Sequence, residues 1–316
     1  MFDIVALGEI LIDFTYYGES ENGNILFEQN PGGAVANFLA LGAGFGLKTA
    51  FIGKIGADMQ GQFLRDVLKA KGINTTGLIE TRDFFTTLAF VKIKEGERSF
   101  SFARKPGADT RLSFDEIDEN IIKNTKVFHF GSLSLTDEPS KTATIKAVKL
   151  AKEHNVLISY DPNYRTSLWK NAEIAKKTMR EGAKFADIIK ISDEESEILT
   201  GYKEPEKAAN SLLEEGASCV VVTLGENGAI VATSAGQIQK KTPKVEVIDT
   251  TGAGDTFFAS FLYKIITSGK TLEQHSINQL GEYLEFANAA ASICVGRRGA
   301  MPSMPSLAEV LERLGV

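Results

Sequence analysis

Short apolar runs rich in β-branched residues alternate along the chain with longer amphipathic stretches. This alternation is typical of βαβ units, in which helices cover both faces of a mostly parallel sheet. The runs that predict strands are Ile4–Leu7, Thr49–Ile52, Val127–Phe130, Leu157–Tyr160, Ile188–Ile191 and Cys219–Thr223. The stretches that predict helices are Ala34–Phe45, Gly61–Lys71, Ser140–Glu153, Ala172–Phe185, Pro205–Glu214, Thr256–Ile266 and Tyr283–Val295. The pattern therefore predicts a doubly wound α/β fold.

Two segments, residues 10–29 and 84–104, break this alternation. Both show period-two spacing interrupted by glycine-containing turns such as Glu95-Gly96-Glu97, which is typical of antiparallel strands. We expect these strands to be added to the main sheet and to cover a ligand at the carboxyl ends of its strands. The chain is thus predicted to be one domain over residues 1–316, with lid strands drawn from about 10–30 and 84–105.

Composition and charge exclude several classes of protein. Hydrophobic residues make up 43% and charged residues 24% of the chain, as in ordinary folded, soluble proteins. The net charge of -6 is spread along the chain and leaves no basic stripe for nucleic acid. No apolar run approaches the ~20 residues of a membrane span, and the first residues lack a basic signal region, so a cytoplasmic protein is expected. Cys219 and Cys294 are expected to be reduced and buried.

Glycines mark a candidate phosphate site near the carboxyl end of the chain. The β-branched run Val245–Ile248 predicts a strand, and the helix predicted from Thr256 follows it closely. Between them lies Asp249-Thr250-Thr251-Gly252-Ala253-Gly254-Asp255. Glycines let backbone N–H groups approach an anion, and the first turn of a helix adds unpaired donors and a positive dipole end. Gly252, Ala253 and Gly254 are therefore candidate ligands of a transferred phosphate.

Asp255 lies in the same turn and has two interpretations. Phosphoryl transfer needs positioning and charge stabilisation, together with a group that accepts the hydroxyl proton, and a carboxylate of ordinary low pKa suffices for that. Asp is also favoured at helix N-termini simply as a cap. The glycines on the approach side favour the catalytic base.

These motifs, in this order, resemble those of the ribokinase-like (phosphofructokinase B) carbohydrate kinases, from Ala6 to Pro305. One family signature is Gly32-Gly33-Ala34-Val35-Ala36-Asn37, followed by Gly53 and Gly56-Ala57-Asp58-Met59-Gln60-Gly61; the other is Asp249 to Asp255. The resemblance implies a ribokinase-like fold, with ATP, Mg²⁺ and a small-molecule sugar as ligands. Residues 104–109, 131–135 and 161–169 are most similar to those of bacterial fructokinases, which implies D-fructose as the acceptor.

The resemblance also implies the residues of each subsite. The implied sugar ligands are Asp13, Gly32, Gly33, Asn37, Arg104, Asn163 and Arg165. The implied nucleotide ligands are Lys190, Thr223, Gly225, Gly228 and Asn288. Simpler interpretations stay open. Asp13 could be a solvated strand residue, and Asn37 a polar residue at the start of a helix. Gly225 and Gly228 could be turn residues only. Arg165 suits a carboxylate, a sugar phosphate or the ATP phosphates equally well.

Metal ions and assembly are further implications of the resemblance. Glu195 is expected to organise Mg²⁺ through water, although Ser192 stands where the family usually has Asn. Many relatives bind a monovalent cation, and Asp249, Thr251, Gly299 and Ser303 occupy the matching places, which makes K⁺ an additional expected cofactor. Lid sheets of this kind can pair between subunits, so a homodimer through the lid is an expected assembly.

The sequence therefore supports an ATP-dependent kinase for D-fructose, with Asp255 as the general base. A kinase for 2-keto-3-deoxygluconate or for a nucleoside has the same fold and stays open, because the hydroxyl-binding pocket decides the acceptor. A non-catalytic sugar-binding protein would have no need of a base beside an anion site.

Overall fold

The computed structural model describes residues 1–94 and 97–316, and between 92 and 100 it describes only the strand backbone. Glu95 and Gly96 of the predicted turn lie outside the described residues. The strands are β1 Phe2–Leu7, β2 Leu11–Glu19, β3 Ile25–Gly32, β4 Thr49–Gly56, β5 Asn74–Thr81, β6 Leu88–Lys94, β7 Glu97–Ala103, β8 Thr125–Gly131, β9 Leu157–Asp161, β10 Ile188–Ser192, β11 Cys219–Thr223, β12 Ala229–Thr233 and β13 Gly236–Lys240. The helices are α1 Ala34–Gly44, α2 Met59–Ala70, α3 Glu119–Lys123, α4 Ser140–Glu153, α5 Ala172–Ala183, α6 Asp193–Thr200, α7 Pro205–Glu214, α8 Ala253–Thr267, α9 Ile277–Val295 and α10 Leu307–Leu314.

The main sheet is mostly parallel, as predicted. Its strands follow the order β13-β12-β11-β10-β9-β8-β1-β4-β5. The strands from β5 to β11 in this order are parallel, whereas β12 runs antiparallel to both β11 and β13. The chain extends from β1 to β4 and β5 on one side and from β8 to β11 on the other. The order reverses between β1 and β8, which leaves a crevice at their carboxyl ends.

Helices pack on both faces of this sheet, which confirms the doubly wound prediction. Successive residues of a strand point to opposite faces. Ile4 and Ala6 accordingly belong to a core with residues of α1, α8, α9 and α10. Val5 and Leu7 belong to a second core with residues of α4, α5 and α7. Because α1 and α8 both belong to the first core, they lie on the same face of the sheet, and the N-termini of both reach the crevice.

The lid strands form a separate sheet, which corrects the prediction that they are added to the main sheet. This sheet has the order β3-β2-β6-β7. The pairs β2/β3 and β6/β7 are antiparallel hairpins as predicted, but β2 and β6 join them in parallel, with Ile12 opposite Leu88. Period-two spacing identifies a strand, and it carries no information about which strand becomes the neighbour.

The predicted strand Val245–Ile248 is wrong. Residues 241–247 have irregular backbone, and Val247 and Ile248 are 58% and 61% exposed. The backbone N–H groups of Ile248 and Asp249 both donate to Val295 O at the end of α9. A β-branched run becomes a strand only where a sheet edge is available to it, and here the end of a helix takes its hydrogen bonds instead.

Three helices begin earlier than predicted. Helix α2 starts at Met59, α8 at Ala253 and α9 at Ile277, where Ser276 and Gln279 form a capping box. Cys219 and Cys294 are both buried and form no disulfide, as expected. Within residues 1–94 and 97–316, no helix combines the length and the apolar character needed to cross a membrane.

Candidate active site

A cavity of about 300 Å³ opens at the carboxyl ends of the parallel strands, at the reversal of strand order. It brings together ten of the predicted site residues: Asp13, Gly33, Asn37, Asn163, Arg165, Lys190, Thr251, Gly252, Gly254 and Asp255. The remaining lining residues are Glu9, Leu11, Ala34, Phe102, Leu133 and Thr250. The wall therefore combines two helix N-termini, the lid and the loops that follow β1 and β9.

Asn37 and Asp255 meet across this cavity. Asn37 lies in the first turn of α1 and Asp255 in the first turn of α8. The Asn37 Nδ2–H group donates to Asp255 Oδ2, with the two atoms 2.9 Å apart. Asn37 Oδ1 is buried and has no hydrogen-bond partner among the described residues. The amide thus fixes the Asp255 carboxylate and keeps one acceptor for a ligand.

The pKa of Asp255 is raised to about 6. Burial is the main cause, and the negative charge of Asp161 adds to it, while the Asn37 hydrogen bond and the charges of Lys190 and Arg165 act in the opposite direction. This pKa is higher than the ordinary low value expected from the sequence, so the carboxylate is a stronger base than expected. It is still mostly ionised at pH 7.

The turn before α8 suits an anion. Gly252 has φ 78°, a left-handed conformation that favours glycine, and it is the N-cap of α8 with no side-chain cap. An added Cβ at Gly254 would lie 2.9 Å from Lys190 Nζ, so glycine allows the ammonium group to approach the turn. Gly252, Gly254 and Lys190 all line the cavity, whereas Ala253 does not, and its N–H group donates to Thr250 O at 3.3 Å.

Lys190 forms a buried ion pair with Asp161. Lys190 Nζ and Asp161 Oδ2 are 2.9 Å apart, and the two side chains are only 7% and 5% exposed. Burial acts to lower the pKa of Lys190, but Asp161 and Glu195 raise it overall. Lys190 is therefore a permanent positive charge in the cavity wall.

Asp13 reaches the cavity from the lid strand β2. On the paired strand β3, an added Cβ at Gly32 would lie 2.1 Å from Asp13 Oδ2, so only glycine leaves room for this carboxylate. Burial raises the pKa of Asp13 to about 7; Arg165 lowers it, and Asp255 and Asp249 add to the increase. Asp13 is thus a half-buried strand residue that lines the cavity.

Two carboxylates shape the loop that carries Asn163 and Arg165. The Asn163 N–H group donates to Asp161 Oδ1 at 3.1 Å, and the Tyr164 N–H group donates to Glu195 Oε1 at 2.7 Å. Asn163 has φ 44°, an uncommon conformation for a residue other than glycine. Arg165 is exposed and donates through Nη1 to Tyr164 O at 3.1 Å. Its guanidinium group therefore lies at the mouth of the cavity.

Glu195 and Ser192 form the capping box at the start of α6. Ser192 N–H donates to Glu195 Oε2 at 2.8 Å, and Ser192 Oγ accepts from Glu195 N–H at 3.2 Å. Ser192 therefore has a structural role as the helix N-cap. Glu195 is buried and does not line the cavity, and each of its oxygens already accepts one backbone N–H bond. Its remaining lone pairs and its charge are what it can offer to a hydrated cation.

Arg104 does not line the cavity. It is 5% exposed, and its Nε donates to Asp109 Oδ2 at 2.8 Å. Its Nη2 donates to Leu133 O at 2.9 Å and its Nη1 to Thr136 Oγ1 at 2.8 Å. Arg104 therefore lies behind the wall formed by Leu133, with donors on all three nitrogens bound within the fold, and not at the sugar position expected for it.

Most of the predicted nucleotide ligands also lie outside the lining of this cavity. Thr223 ends β11, and Gly225 and Gly228 form the turn to β12, where an added Cβ at Gly228 would lie 2.0 Å from Lys240 O. Asn288 on α9 is buried, and its Nδ2 donates to Lys240 O at 3.1 Å. Asn288 is therefore buried against the end of β13.

Asp249 connects the residues predicted to bind a monovalent cation. Its Oδ1 accepts from the Thr251 N–H group at 2.8 Å, and its Oδ2 accepts from the Gly299 N–H group at 3.0 Å. Ser303 is fully buried and donates to Ala300 O at 2.7 Å. In the described part of the chain, no group of three His, Cys, Asp or Glu side chains is arranged to hold a metal ion.

An aromatic cluster fixes the two helices that carry Asn37 and Asp255. The rings of Phe38 and His129 stack with centroids 3.9 Å apart, and Phe258 contacts His129 edge-on at 5.7 Å. Burial lowers the pKa of His129 to about 3, so the ring is neutral. Since Phe38 follows Asn37 directly and Phe258 lies one turn after Asp255, this cluster positions both polar groups.

Sequence reasoning missed two acidic residues of the site, Glu9 and Asp161. Glu9 lines the cavity, and Asp161 pairs with Lys190. Both are the first acidic residues after predicted strands, Ile4–Leu7 and Leu157–Tyr160. Because ligands bind at the carboxyl ends of such strands, this position was a usable signal.

Comparisons with known proteins identify the family of the chain. The model of the pfkB family carbohydrate kinases matches residues 1–307. Fructokinase-2 of Solanum lycopersicum is 41% identical over 315 residues, covering 98% of this chain and 95% of that protein. Fructokinase from Xylella fastidiosa, solved with bound ATP, superposes with TM-score 0.89 and 30% identity over 99% of this chain and 98% of its own. Fructokinase from Vibrio cholerae, solved with fructose, ADP and calcium, has TM-score 0.89 and 30% identity over 99% of both chains. The chain belongs to the pfkB family of carbohydrate kinases.

Proposed function

We propose that this chain transfers the γ-phosphoryl group of ATP to a hydroxyl group of D-fructose. The observation that carries the proposal is the meeting of Asn37 and Asp255 in a polar cavity at the N-terminus of α8. An anion site, a base and hydroxyl-binding groups then share one space, as phosphoryl transfer requires. The choice of fructose rests on the similarity to fructokinases over nearly the whole chain.

Asp255 accepts the proton of the attacking hydroxyl group. With a pKa of about 6 it is ionised at neutral pH and is a better base than a solvated carboxylate. The N–H groups of Gly252 and Gly254 and the ammonium group of Lys190 stabilise the charge on the transferred phosphoryl group. The first turn of α8 thus supplies both the proton acceptor, Asp255, and the glycine N–H groups that stabilise the phosphoryl charge, and Lys190 adds its charge from β10.

The sugar lies against the residues that offer hydrogen-bond acceptors. Asn37 Oδ1 is buried without a partner among the described residues, and the Asp13 carboxylate lines the same space. Both need donors, and sugar hydroxyl groups supply them. Gly32 and Gly33 let the ring approach the backbone, and Asn163 and Arg165 complete the pocket from the opposite side.

The nucleotide extends from Lys190 toward the carboxyl end of β11, where Thr223, Gly225, Gly228 and Asn288 lie. Glu195 would help to hold Mg²⁺ through water, beside the phosphates of ATP. The buried charge of Glu195 fits this role because it is near enough to Asp161 and Lys190 to raise the pKa of both. Bound Mg²⁺ supplies charge neutralisation on the phosphate oxygens.

A monovalent cation is proposed beside the anion turn, at Asp249, Thr251, Gly299 and Ser303. Its support is the pair of Asp249 hydrogen bonds that bring the turn and the 299 loop together. We expect activity in potassium chloride to exceed activity in an equal concentration of tetramethylammonium chloride. Equal rates in the two salts would remove the cation from the proposal.

A second acceptor deserves a direct comparison, because Arg165 places a cation at the cavity mouth. A guanidinium group there suits a carboxylated sugar such as 2-keto-3-deoxygluconate. The test is ADP formation from ATP and Mg²⁺ with D-fructose, D-glucose, D-ribose, 2-keto-3-deoxygluconate and adenosine as acceptors. We expect the highest kcat/KM with D-fructose. A higher kcat/KM with the sugar acid or the nucleoside would transfer the proposal to that acceptor, and no turnover with any of them would indicate a non-catalytic sugar-binding protein.

The small sheet is proposed to act as a lid on a single domain. Asp13 and Leu11 of β2 and Phe102 of β7 line the cavity, so movement of this sheet would change access to it. We propose the cytoplasm as the site of activity.

The lid also supports the expected homodimer. Its strands expose large apolar side chains that a partner lid would cover: Tyr16, Tyr17, Ile25, Leu26, Phe27 and Phe90. Light scattering of the wild type and of the Phe27→Glu variant tests this assembly. A monomeric wild type would contradict it.

A further inference from the structure

One buried carboxyl group in the cavity has no part in the phosphoryl transfer proposed above. Glu9 lies in the loop between β1 and β2 and is 2% exposed. Its Oε1 accepts a hydrogen bond from the Ala34 N–H group, with a nitrogen–oxygen distance of 2.7 Å. Its Oε2 is buried and has no hydrogen-bond partner among the described residues. A buried acceptor of this kind is unfavourable until a ligand or a water molecule supplies a donor.

Glu9 is held rigidly. The Ala34 N–H group belongs to the first turn of α1, so the Glu9 carboxylate is anchored to the helix that carries Asn37. The backbone approaches equally closely, because an added Cβ at Gly33 would lie 2.6 Å from Glu9 O. The free oxygen therefore has a fixed position relative to Asn37.

The positive charge of Arg104 acts on the Glu9 carboxylate, but the two side chains form no direct hydrogen bond. The charge of Arg104 lowers the pKa of Glu9, although burial dominates and raises it to about 7. The guanidinium nitrogens of Arg104 bind Asp109, Leu133 O and Thr136. The Oε2 atom is thus left to whatever enters the cavity.

We propose that Glu9 Oε2 accepts a hydrogen bond from a non-reacting hydroxyl group of the acceptor sugar, which makes Glu9 a specificity-determining residue. The inference rests on the function proposed above. Glu9 Oε2 and Asn37 Oδ1 are two fixed buried acceptors in one cavity, and the half-buried Asp13 carboxylate lines the same cavity. A ligand that presents several hydroxyl groups satisfies all of them, whereas an acceptor that lacks the hydroxyl group facing Glu9 leaves this oxygen unpaired.

The Glu9→Gln variant separates this role from that of a helix cap. Its side-chain carbonyl still accepts from the Ala34 N–H group, but an amide NH₂ replaces the free acceptor. We expect KM for D-fructose to rise about tenfold to hundredfold, the range for a lost hydrogen bond to a charged group. We expect kcat to stay within about threefold, because a non-reacting hydroxyl group is bound equally in the ground and transition states. The thermal unfolding midpoint should not change.

Glu215→Gln is the matched control. Glu215 lies at the end of α7 and pairs with Arg180, and its Oε2 is also buried without a hydrogen-bond partner among the described residues. It does not line the cavity. Its replacement should therefore leave both KM and kcat unchanged.

Monodeoxy analogues of D-fructose provide a second test, which begins with the wild type. One analogue should lose about tenfold or more in kcat/KM, and the Glu9→Gln variant should lose this discrimination. The role of Glu9 would be overturned if Glu9→Gln turned over D-fructose normally with an unchanged KM. It would also be overturned if the wild type turned over D-fructose normally and disfavoured none of the analogues. Either result would leave the kinase function standing. A wild type that phosphorylates no sugar would overturn both.

Discussion

Asn37 and Asp255 are 218 residues apart in the chain, yet the amide of one donates a 2.9 Å hydrogen bond to the carboxylate of the other. The bond exists because α1 and α8 pack on the same face of the sheet with both N-termini at the crevice. It gives Asp255 a fixed orientation and lowers its pKa against the opposing effect of burial. The properties of the proposed base are therefore set from the other half of the molecule.

Asp255→Asn should lower kcat with D-fructose, ATP and Mg²⁺ by about 10²–10⁴-fold, since that is the usual contribution of a positioned base. The KM values should change little, because the amide has the size of the carboxylate. Steady-state kinetics check this prediction. Asp193→Asn is the control, because Asp193 is an exposed acid in the first turn of α6 and should be silent. Full turnover by Asp255→Asn would rule out the general base.

The value of kcat/KM should fall as the pH is lowered from 8 to 5. Protonation of Asp255, with a pKa of about 6, removes the base, and protonation of Glu9 and Asp13, with pKa values of about 7, weakens the sugar site. Because more than one group titrates, the slope of log kcat/KM on the acid side should exceed one. A profile that stays flat down to pH 5 would contradict the effect of burial on these groups.

Asn37→Ala should shift the acid limb of kcat to higher pH. The variant loses the hydrogen bond that lowers the pKa of Asp255, so the carboxylate becomes protonated at a higher pH. The kcat profile between pH 5 and 8 checks this shift. Asn210→Ala, which removes an exposed amide bonded to Gln237, is the control and should not move the limb.

Asp161→Asn should destabilise the protein by about 3–5 kcal/mol, because it leaves the buried Lys190 charge without its partner. Adding Lys190→Met should restore part of the loss, since no unpaired charge then remains. Urea unfolding measures both effects. The exposed pair of Glu204 and Lys207 has the same 2.9 Å separation, and Glu204→Gln should leave stability almost unchanged because water screens the pair. Equal losses at the two sites would show that burial is not the deciding factor.

Gly33→Ala should be far more damaging than Gly46→Ala. Both glycines have positive φ, 104° and 89°, and they flank α1 at its two ends. An added Cβ at Gly46 meets nothing within 4 Å, so only backbone strain of roughly 1–2 kcal/mol is expected. At Gly33 the same atom would lie 2.6 Å from Glu9 O, so the loop and α1 must separate. Thermal unfolding and KM for D-fructose check the difference, and similar values for the two variants would contradict it.

The regular elements were predictable wherever one residue pattern decided them. The bounds of α4, α7 and β11 coincide with those predicted from the sequence. Helix α4 buries Ala143, Ala147 and Ala151 at helical spacing, which is the information that the sequence pattern carries. The prediction of a strand at Val245–Ile248 was wrong because a strand needs a neighbouring strand, and whether one is available depends on the whole fold.

The residues of the site were also predictable only in part. Gly252, Gly254 and Asp255 are one local motif, and the structure places all of them on the cavity. Arg104 was not predictable, because an arginine binds whichever carboxylate the fold brings to it, and Asp109 is that carboxylate. Glu9 was not predicted for a related reason. Its role depends on Oε2, which has no hydrogen-bond partner among the described residues, and the sequence alone does not show this.

The aromatic cluster of Phe38, His129 and Phe258 makes residue 129 a position at which a substitution can change turnover without contact with any ligand. His129 lies in the core on β8, and both neighbouring rings belong to helices that present a reacting or binding group at their ends. A smaller side chain there would let α1 and α8 settle differently, and a spacing error well below the diameter of an atom is enough to slow a positioned proton transfer. Directed evolution for altered turnover would therefore be expected to select changes at residue 129 as readily as changes in the pocket itself.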